Sequence, residues 1–186
     1  MIKGFESKVT KIKSLGLFML LFIASASVFA LQSYEVDSKG SKVGFSGTHL
    51  GMQFYGEFET WQAKLVLPPQ SNPSITATFD LTKAKTGDFI YDSTLVEGDW
   101  FDVEKHPQGS FVSDVIEVVE GGYKVSGKLT LRGVAKIQSF ILTQSGNKLT
   151  AEFPINRLEY GIGLDSDPKG EWVSKDITMR LDLSLD

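Results

Sequence analysis

The sequence contains no cysteine. A disulfide, a thiolate metal site, a cysteine nucleophile and the lipid-modified cysteine of a bacterial lipoprotein are therefore all excluded. Histidine is nearly absent as well, because His49 and His106 are the two imidazole groups in 186 residues. General bases in enzymes are most often histidines, so these shortages leave few groups on which catalysis could depend.

An apolar run long enough to cross a bilayer is also missing. The run Leu15–Ser25 carries no charge, but it is shorter than the roughly 20 residues that a membrane-spanning helix needs. Four lysines precede this run, and Val28–Ala30 follows it with the residue spacing of a cleavage site. We therefore predict a signal peptide at residues 1–30 and one domain at residues 31–186. After signal removal this domain should not span a membrane, and we expect it in the periplasm or outside the cell.

Positive charge is scarce in the remaining chain. The leader contributes +3 to the net charge of −4, so residues 31–186 carry −7. An acidic surface repels phosphate backbones, and nucleic acid is therefore not expected as a partner.

The mature chain is dominated by alternation of apolar and polar residues. In Ile177–Leu185 every odd position is apolar and every even position is polar, so one face of this strand is expected to be apolar and the other polar. The same period recurs in eight other segments: Val43–Phe45, Phe54–Phe58, Ala63–Leu67, Ile75–Leu81, Phe111–Val115, Tyr123–Leu129, Ile137–Leu142 and Leu149–Ile155. Turn residues separate them, as in Glu120–Gly122. The pattern predicts an all-β sandwich or closed barrel, and we favour an eight-stranded antiparallel barrel because closure removes exposed strand edges.

One segment, Thr86–Phe101, breaks the strand rhythm. Asp92 is a candidate N-cap for a short helix that carries Leu95, with Gly98 near its end. We predict a helical excursion over one mouth of the barrel. The acidic run Glu97–Glu104 that follows is expected to be a solvated loop.

Candidate catalytic and metal sites are weak. His49 is expected to make a structural hydrogen bond at a strand end, and His106 is expected in a turn. The run Asp165–Gly170 with Asp176 has the spacing of a calcium loop, but Lys169 occupies a ligand position. Acid pairs for glycoside cleavage can be drawn from Asp92, Glu97, Asp99 and Asp102, although so many acids make chance pairs common. Gly161–Gly163 lacks the third glycine of a dinucleotide fingerprint, so no cofactor and no metal are predicted.

An excess of aromatic residues on one strand face is the strongest functional signal. An ordinary filled core is one interpretation. A small barrel can instead hold a slender ligand, and an apolar lining favours an apolar one. The predicted ligand-binding residues are Phe45, His49, Phe54, Phe58, Leu95, Trp100, Phe101, Phe111, Phe153 and Ile155.

Several motifs resemble those of the YceI-like family. They are Val36–Ser38, Ser41–Phe45, Thr48–Gly51, Phe54–Phe58, Trp100–Pro107, Val125–Lys136, Ile155–Arg157 and Tyr160–Gly161. The resemblance covers residues 33–186 and implies a lipocalin-like antiparallel barrel, exported in many bacteria, in which some members hold a polyisoprenoid chain. This sequence has Thr94, Arg132 and Ile137 where the family commonly has histidine, histidine and proline. The departure at Thr94 lies near the expected mouth and leaves the ligand's identity open.

The leading hypothesis is thus a non-enzymatic carrier for a polyisoprenoid or another long apolar small molecule. A headgroup at the mouth could meet His49, Arg132 or Arg157, although a structural ion pair is an equal alternative for Arg157. The rival hypotheses are an enzyme acting on an isoprenoid-like or quinone-like substrate in the same pocket, and a ligand-free stress-response scaffold. The oligomeric state stays open, with a dimer among the alternatives.

Overall fold

The computed structural model describes residues 32–185. The predicted signal peptide lies outside the described residues, so its cleavage stays a prediction. The strands of the described part are β1 (Tyr34–Asp37), β2 (Lys42–His49), β3 (Met52–Phe58), β4 (Trp61–Val66), β5 (Ser74–Asp80), β6 (Ala84–Lys85), β7 (Gln108–Val119), β8 (Gly122–Leu131), β9 (Val134–Ser145), β10 (Lys148–Asn156) and β11 (Asp176–Ser184). Short 3-10 helices lie at Leu81–Lys83 and Arg157–Tyr160, and the α-helix α1 spans Phe89–Leu95.

All strands belong to one antiparallel sheet. Its order is β1-β4-β5-β7-β8-β9-β10-β11-β2-β3-β6. Eight antiparallel steps separate β4 from β3, so these two strands run in the same direction. Only Glu59 and Thr60 connect them. One bent stretch of chain therefore joins the strand next to one margin of the sheet to the strand next to the other margin. The sheet is therefore curled around an interior.

The all-β class, the antiparallel arrangement and the short helix are confirmed, but the predicted count of eight strands is wrong. All nine segments with period-two alternation are strands, and β1 and β6 are added at the margins. Within residues 32–185 the strand order ends at β1 and β6, so no complete ring of paired strands is seen. The sandwich alternative is excluded because the described strands form a single sheet.

The alternation of side chains places the apolar face of each strand inside the curl. In β4, Trp61, Ala63 and Leu65 are buried, whereas the residues between them are exposed. Strand β7 changes phase at a bulge between Ser113 and Val115, because an extra residue reverses which positions point inward. Gly56 pairs with Phe45, and a Cβ at Gly56 would overlap the Phe45 ring. Glycine is thus required there for the ring to fit.

The pairing between β9 and β10 is short. Backbone partners extend only over Lys148–Thr150 on β10 and Thr143–Ser145 on β9. Beyond this point Phe140 and Phe153 stack with their centroids 4.4 Å apart and their planes at 8°. The stacked rings therefore join β9 and β10 in the region where the backbone pairing between these strands has ended.

Helix α1 begins four residues earlier than the sequence suggested. Its N-cap is Asp88, whose carboxylate accepts hydrogen bonds from the backbone N–H groups of Ile90 and Tyr91. The prediction of Asp92 as the cap is wrong. Asp92 lies inside the helix and accepts hydrogen bonds from the backbone N–H and hydroxyl of Thr86 at 2.6 and 2.9 Å. Asp92 therefore ties the helix to the strand segment before it.

Candidate functional site

The interior of the curled sheet contains a cavity of about 120 Å³. We call it the inner cavity. Its wall is built from inward-facing side chains of β2–β5 and β7–β11, together with residues near α1 and both sides of the Arg157–Tyr160 turn. Within the described chain, Gln138 and Arg157 are the only wall residues that are neither apolar nor aromatic. The wall of the inner cavity is therefore almost entirely apolar.

Aromatic rings make up much of this wall. The ring of Phe58 lies 5.3 Å from that of Phe45, 5.5 Å from Phe79 and 6.3 Å from Phe101, measured between centroids. Such tilted pairs pack favourably beyond the area that they bury. Phe58 therefore forms the centre of an aromatic cluster on one side of the cavity.

A second cavity, of about 200 Å³, lies between α1 and the loop 166–173. We call it the outer cavity. Its wall shares four residues with the inner cavity, namely Phe54, Leu95, Trp100 and Val173. Thr94, the residue at which the sequence departs from the resembled pattern, is also part of this wall. The two cavities therefore adjoin, and the outer one is bounded by the helical excursion as expected for a mouth.

Polar groups are concentrated in the outer cavity. The Nδ1 atom of His49 and the hydroxyl of Tyr91 are joined by a hydrogen bond of 2.7 Å, and their rings meet edge to face. His49 ends β2 and forms an isolated bridge with Val173. The expectation of a structural hydrogen bond for His49 at a strand end is therefore confirmed. The bond also links α1 to the sheet.

Apolar side chains are exposed around the outer cavity. Ile90 and Trp172, which both line it, are 68% and 56% exposed, and Phe89 on the same helix is 86% exposed. The backbone N–H of Leu50, another exposed residue, donates to the carbonyl of Trp172. The mouth is therefore bordered by apolar surface.

Arg157 is the one cation on the inner wall in the described chain, and it is fully committed to protein partners. Its side chain is 2% exposed and pairs with Asp167 at 2.7 Å. The remaining guanidinium N–H groups donate to the carbonyls of Ile162, Gly163, Val173 and Ser174. The structural ion pair is therefore the alternative that holds for Arg157, and no donor is left for a headgroup.

Asp167 is held as a carboxylate by the same network. Burial acts to raise its pKa, but hydrogen bonds from the backbone N–H groups of Val173, Glu171 and Trp172 and the charge of Arg157 outweigh burial. The pKa of Asp167 consequently lies below its usual value. This network fixes the loop that forms one side of the outer cavity.

The acidic run at 97–104 is more than a solvated loop. Asp99 accepts hydrogen bonds from the backbone N–H groups of Asp165 and Ser166, and buried Asp102 accepts one from Lys105 at 2.9 Å. Arg132 donates to the carbonyls of Gly98 and Gly161 and lines neither cavity. The prediction of a solvated loop is therefore wrong in part, and Arg132 does not lie where a ligand in these cavities would contact it.

Residues 32–185 contain no cluster of three or more potential metal-binding side chains. In the run with calcium-loop spacing, the Asp167 carboxylate accepts hydrogen bonds from three backbone N–H groups and forms an ion pair with Arg157.

Nine of the ten predicted binding residues line the inner cavity: Phe45, Phe54, Phe58, Leu95, Trp100, Phe101, Phe111, Phe153 and Ile155. The tenth, His49, lines the outer cavity. That they bind a ligand stays a prediction. Sequence reasoning missed Tyr91 and Trp172 on the outer wall because neither belongs to a strand with period-two alternation. For Trp172 the one signal is an aromatic residue in a largely polar segment, and for Tyr91 it is the apolar run Phe89–Tyr91 in a segment without strand alternation.

A single curled antiparallel sheet around an apolar cavity, with a short helix beside its mouth, defines a barrel-like fold of the kind that encloses small molecules. A family model described as the YceI-like domain matches residues 34–185. The chain belongs to this family.

Known proteins resemble this chain both in sequence and in fold. The chain is 30% identical over 128 residues to a UPF0312 protein of Photorhabdus laumondii, an alignment that spans 66% of each protein and thus just under two thirds of the relative. The fold resembles that of BcnA from Burkholderia cenocepacia, with a TM-score of 0.73, 28% identity, and coverage of 80% of this chain and 98% of BcnA.

A more distant likeness shows the fold alone. A polyisoprenoid-binding domain from Saccharophagus degradans has a TM-score of 0.58 and 13% identity, over 82% of this chain and 97% of that domain. In the part of the chain that the structure describes, no helix has the length and apolar character needed to cross a membrane.

Proposed function

We propose that the protein is an exported carrier that binds a polyisoprenoid or a similar long apolar molecule inside the curled sheet. Binding would involve the inner cavity for the chain and the outer cavity for the end nearest the mouth. The signal peptide predicted from the sequence supports export to the periplasm or the exterior. We also propose that the bent β3–β4 stretch closes the sheet functionally into a barrel.

The observation that carries this proposal is the chemistry of the inner wall. Its two polar residues are already engaged, since Arg157 is paired with Asp167 and Gln138 donates to the Tyr160 hydroxyl at 2.9 Å. A charged or highly polar ligand would lose its hydration there without compensation. An apolar chain would gain, because burial contributes about 0.8 kcal/mol per methylene and thus about 4 kcal/mol per isoprene unit.

The size of the cavities favours a slender ligand. A cavity of about 150 Å³ is known to hold a benzene-sized molecule, so the inner cavity of about 120 Å³ accommodates little more than one isoprene unit without movement of its wall. A longer chain must extend into the adjoining outer cavity or displace side chains. Two or three buried units offset the lower estimates, about 4–8 kcal/mol, of the cost of association.

The enzyme hypothesis has less support. A general base needs a nucleophile or substrate proton within reach, and His49 is the one histidine on either cavity wall in the described chain. Its Nδ1 is bonded to Tyr91. The ligand-free scaffold is opposed by the two cavities themselves. The name of the Saccharophagus domain, which has this fold, adds support for an isoprenoid ligand.

The test is to fill the cavity with an apolar side chain. Ala77 on β5 lines the inner cavity, and the neighbouring Thr78 is exposed on the outer face. We expect Ala77→Phe to lower polyprenol uptake at least tenfold while the protein stays folded, because the added ring takes the space of the ligand. The matched control Thr78→Phe should bind as wild type does.

Uptake is measured by incubating each protein with vesicles that contain C15, C40 or C55 polyprenols, followed by extraction and mass spectrometry. Circular dichroism reports folding. Equal polyprenol content in wild type and in folded Ala77→Phe would contradict binding in the inner cavity. Failure of wild type to take up any of the three would contradict the polyisoprenoid class.

A further inference from the structure

Bulky apolar side chains are exposed on three chain segments that meet at the outer cavity. Leu50 and Met52 in the β2–β3 hairpin are 65% and 64% exposed, and Phe89, Ile90 and Trp172 are exposed as described above. The backbone N–H of Leu50 donates to the carbonyl of Trp172 at 2.8 Å, and the hydrogen bond described above joins the end of β2 to α1. The three segments are therefore neighbours, and we call their five side chains the apolar rim.

The turn that carries Leu50 has a backbone conformation that leucine disfavours. Leu50 and Gly51 are the two residues between β2 and β3, and both have positive φ, at 49° and 81°. Two-residue hairpin turns of this kind favour asparagine, aspartate or glycine, because a left-handed backbone is costly for most other residues. Leu50 lines neither cavity. Neither the backbone nor packing within the described chain therefore explains an exposed leucine at this position.

The apolar rim is uncharged. Residues 50–53, 89–91 and 172–174 contain no aspartate, glutamate, lysine or arginine. Of the adjacent acids, Asp88 caps α1 and Glu171 pairs with Lys169 at 3.9 Å. Because residues 31–186 carry a net charge of −7, an uncharged surface on this acidic domain is complementary to a neutral, apolar partner and not to a polyanion or a polycation.

Exposed apolar residues elsewhere on the sheet are arranged differently. On the outer face of β7–β9, Lys128 pairs with both Val112 and Ile137, and Lys124 pairs with Ile141. Single apolar residues among charges are normal on protein surfaces, whereas a contiguous uncharged group of them marks an interaction site. The apolar rim is a group of the second kind, and Ile137 offers a matched control position.

We propose that the apolar rim is a membrane-contact site that inserts into the interfacial region of a neutral, zwitterionic lipid bilayer. Tryptophan, phenylalanine and leucine are side chains that bind in this region. The inference rests on the proposed carrier function, because a long apolar ligand would otherwise have to cross water between a bilayer and the protein. Contact at the rim places the outer cavity against the bilayer, so the ligand enters or leaves without that exposure.

The test measures binding to phosphatidylcholine vesicles that contain no polyprenol. The processed protein, without the apolar run in residues 1–30, is mixed with the vesicles, and the bound fraction is measured by flotation. We expect the double variant Leu50→Asn, Phe89→Gln to lower the partition coefficient about tenfold or more, because each change removes an apolar side chain that the bilayer buries. The control Ile137→Ser should bind as wild type does.

The double variant is chosen to keep the fold and the cavities. Asparagine suits the positive φ of residue 50, and glutamine is a good helix former for residue 89. Neither Leu50 nor Phe89 lines a cavity. Circular dichroism of each variant reports folding.

A second measurement observes the wild-type rim directly. Trp172 fluorescence should be quenched by phosphatidylcholine that is brominated on its acyl chains, and Trp172→Phe should remove most of the quenching because Trp61 is buried. Binding to neutral vesicles should be the same at low and high salt, since the rim is uncharged. Wild type that does not bind the vesicles, or quenching that persists in Trp172→Phe, would overturn the membrane contact.

Polyprenol uptake separates this inference from the carrier function. The double variant should take up C55 polyprenol from vesicles about tenfold more slowly, yet reach the same final content as wild type, because contact is weakened and the cavities are unchanged. Uptake at the wild-type rate would overturn membrane loading through the rim. No uptake by wild type, with vesicle binding intact, would contradict the carrier function and leave the membrane contact standing. A wild-type dimer that the double variant dissociates, together with no vesicle binding, would assign the rim to a second copy of this chain and overturn the proposal.

Discussion

The ion pair of Arg157 and Asp167 is the clearest case in which single residues decide the shape of the site. Both side chains are almost fully buried, and a charge left alone in such a place is strongly destabilising. The loss of hydration is offset because five acceptors surround the Arg157 guanidinium and backbone N–H groups donate to the Asp167 carboxylate. Its effect is to hold the loop 162–174 against the end of β2.

Replacing Asp167 with asparagine should reveal this role through its pH dependence. We expect Asp167→Asn to lower the free energy of unfolding by about 3–5 kcal/mol at pH 7, because it leaves the buried Arg157 charge unpaired. The folded-state pKa of Asp167 lies below the unfolded value of about 3.9. The stability that its carboxylate contributes is thus present above pH 4 and disappears as the pH falls through the folded-state pKa. Urea unfolding at pH 7 and pH 3 measures both quantities.

Asp182→Asn serves as the control for this prediction. The Asp182 side chain is 52% exposed and pairs with Lys148 at 3.4 Å on the surface. An exposed pair of this kind contributes about 0–1 kcal/mol. A loss in Asp167→Asn that equals the loss in Asp182→Asn, or that does not shrink at pH 3, would contradict the structural role.

Sequence patterns anticipated the residues of the cavity wall that lie on strands. Phe45, Phe111 and Phe153 are inward because period-two alternation fixes the face of a strand residue. Arg157 and Asp167 were harder to place, since they lie in irregular segments where spacing does not determine contacts. Their pairing depends on how the loop returns to β2, which is a property of the folded chain.

At the scale of elements, α1 is held to the sheet without any fully buried residue of its own. None of its seven residues is buried, and Phe89 and Ile90 are largely exposed. Its attachments are polar contacts at Asp88, Asp92 and Tyr91, the ring contacts of Tyr91 with His49 and Phe54, and the packing of Leu95. Segments with few buried apolar contacts open locally at low free-energy cost.

Removing the Tyr91 hydroxyl should therefore loosen α1. A hydrogen bond contributes about 0.5–1.5 kcal/mol, so we expect Tyr91→Phe to raise amide hydrogen exchange in Phe89–Leu95 by about two- to tenfold. Release of a bound polyprenol should accelerate by a similar factor, with little change in global stability. Hydrogen exchange by mass spectrometry and stopped-flow release are the measurements.

Ser93→Ala on the same helix is the comparison variant. Its hydroxyl bonds within the helix, to the carbonyl of Ile90 at 2.9 Å, and does not reach the sheet. Release rates that are the same in Tyr91→Phe, Ser93→Ala and wild type would mean that α1 does not control access to the cavities.

The elements that sequence reasoning missed are those that depend on their neighbours. Strand β6 has two residues, too few for any periodicity, and it exists as a strand because it pairs with Glu57 and Phe58. Strand β1 has one buried residue, Val36. The start of α1 was misplaced because Asp88 and Asp92 are equally suitable caps by residue type. The contact of Asp92 with Thr86 resolved the choice.

At the scale of the whole molecule, the first thirty residues carry the prediction of export. We expect the mature amino terminus at Leu31, because Val28 and Ala30 give the spacing of a signal cleavage site after the apolar run. Amino-terminal sequencing of the exported protein measures it. Ala30→Arg should block processing and leave the precursor. Intact Met1 on membrane-embedded protein would contradict the carrier as proposed.

The position of β11 has a consequence for the order of events during biosynthesis. This strand is the last of those in residues 32–185, yet it lies between β10 and β2 and pairs with both. The ribosome must therefore finish Asp176–Ser184 before β2 acquires its second neighbour. Contacts of such large sequence separation form slowly. Until then β2 and β10 each lack one neighbour, so the sheet of a nascent chain cannot be completed, and a chain that has not completed its fold can still be threaded through a translocation pore.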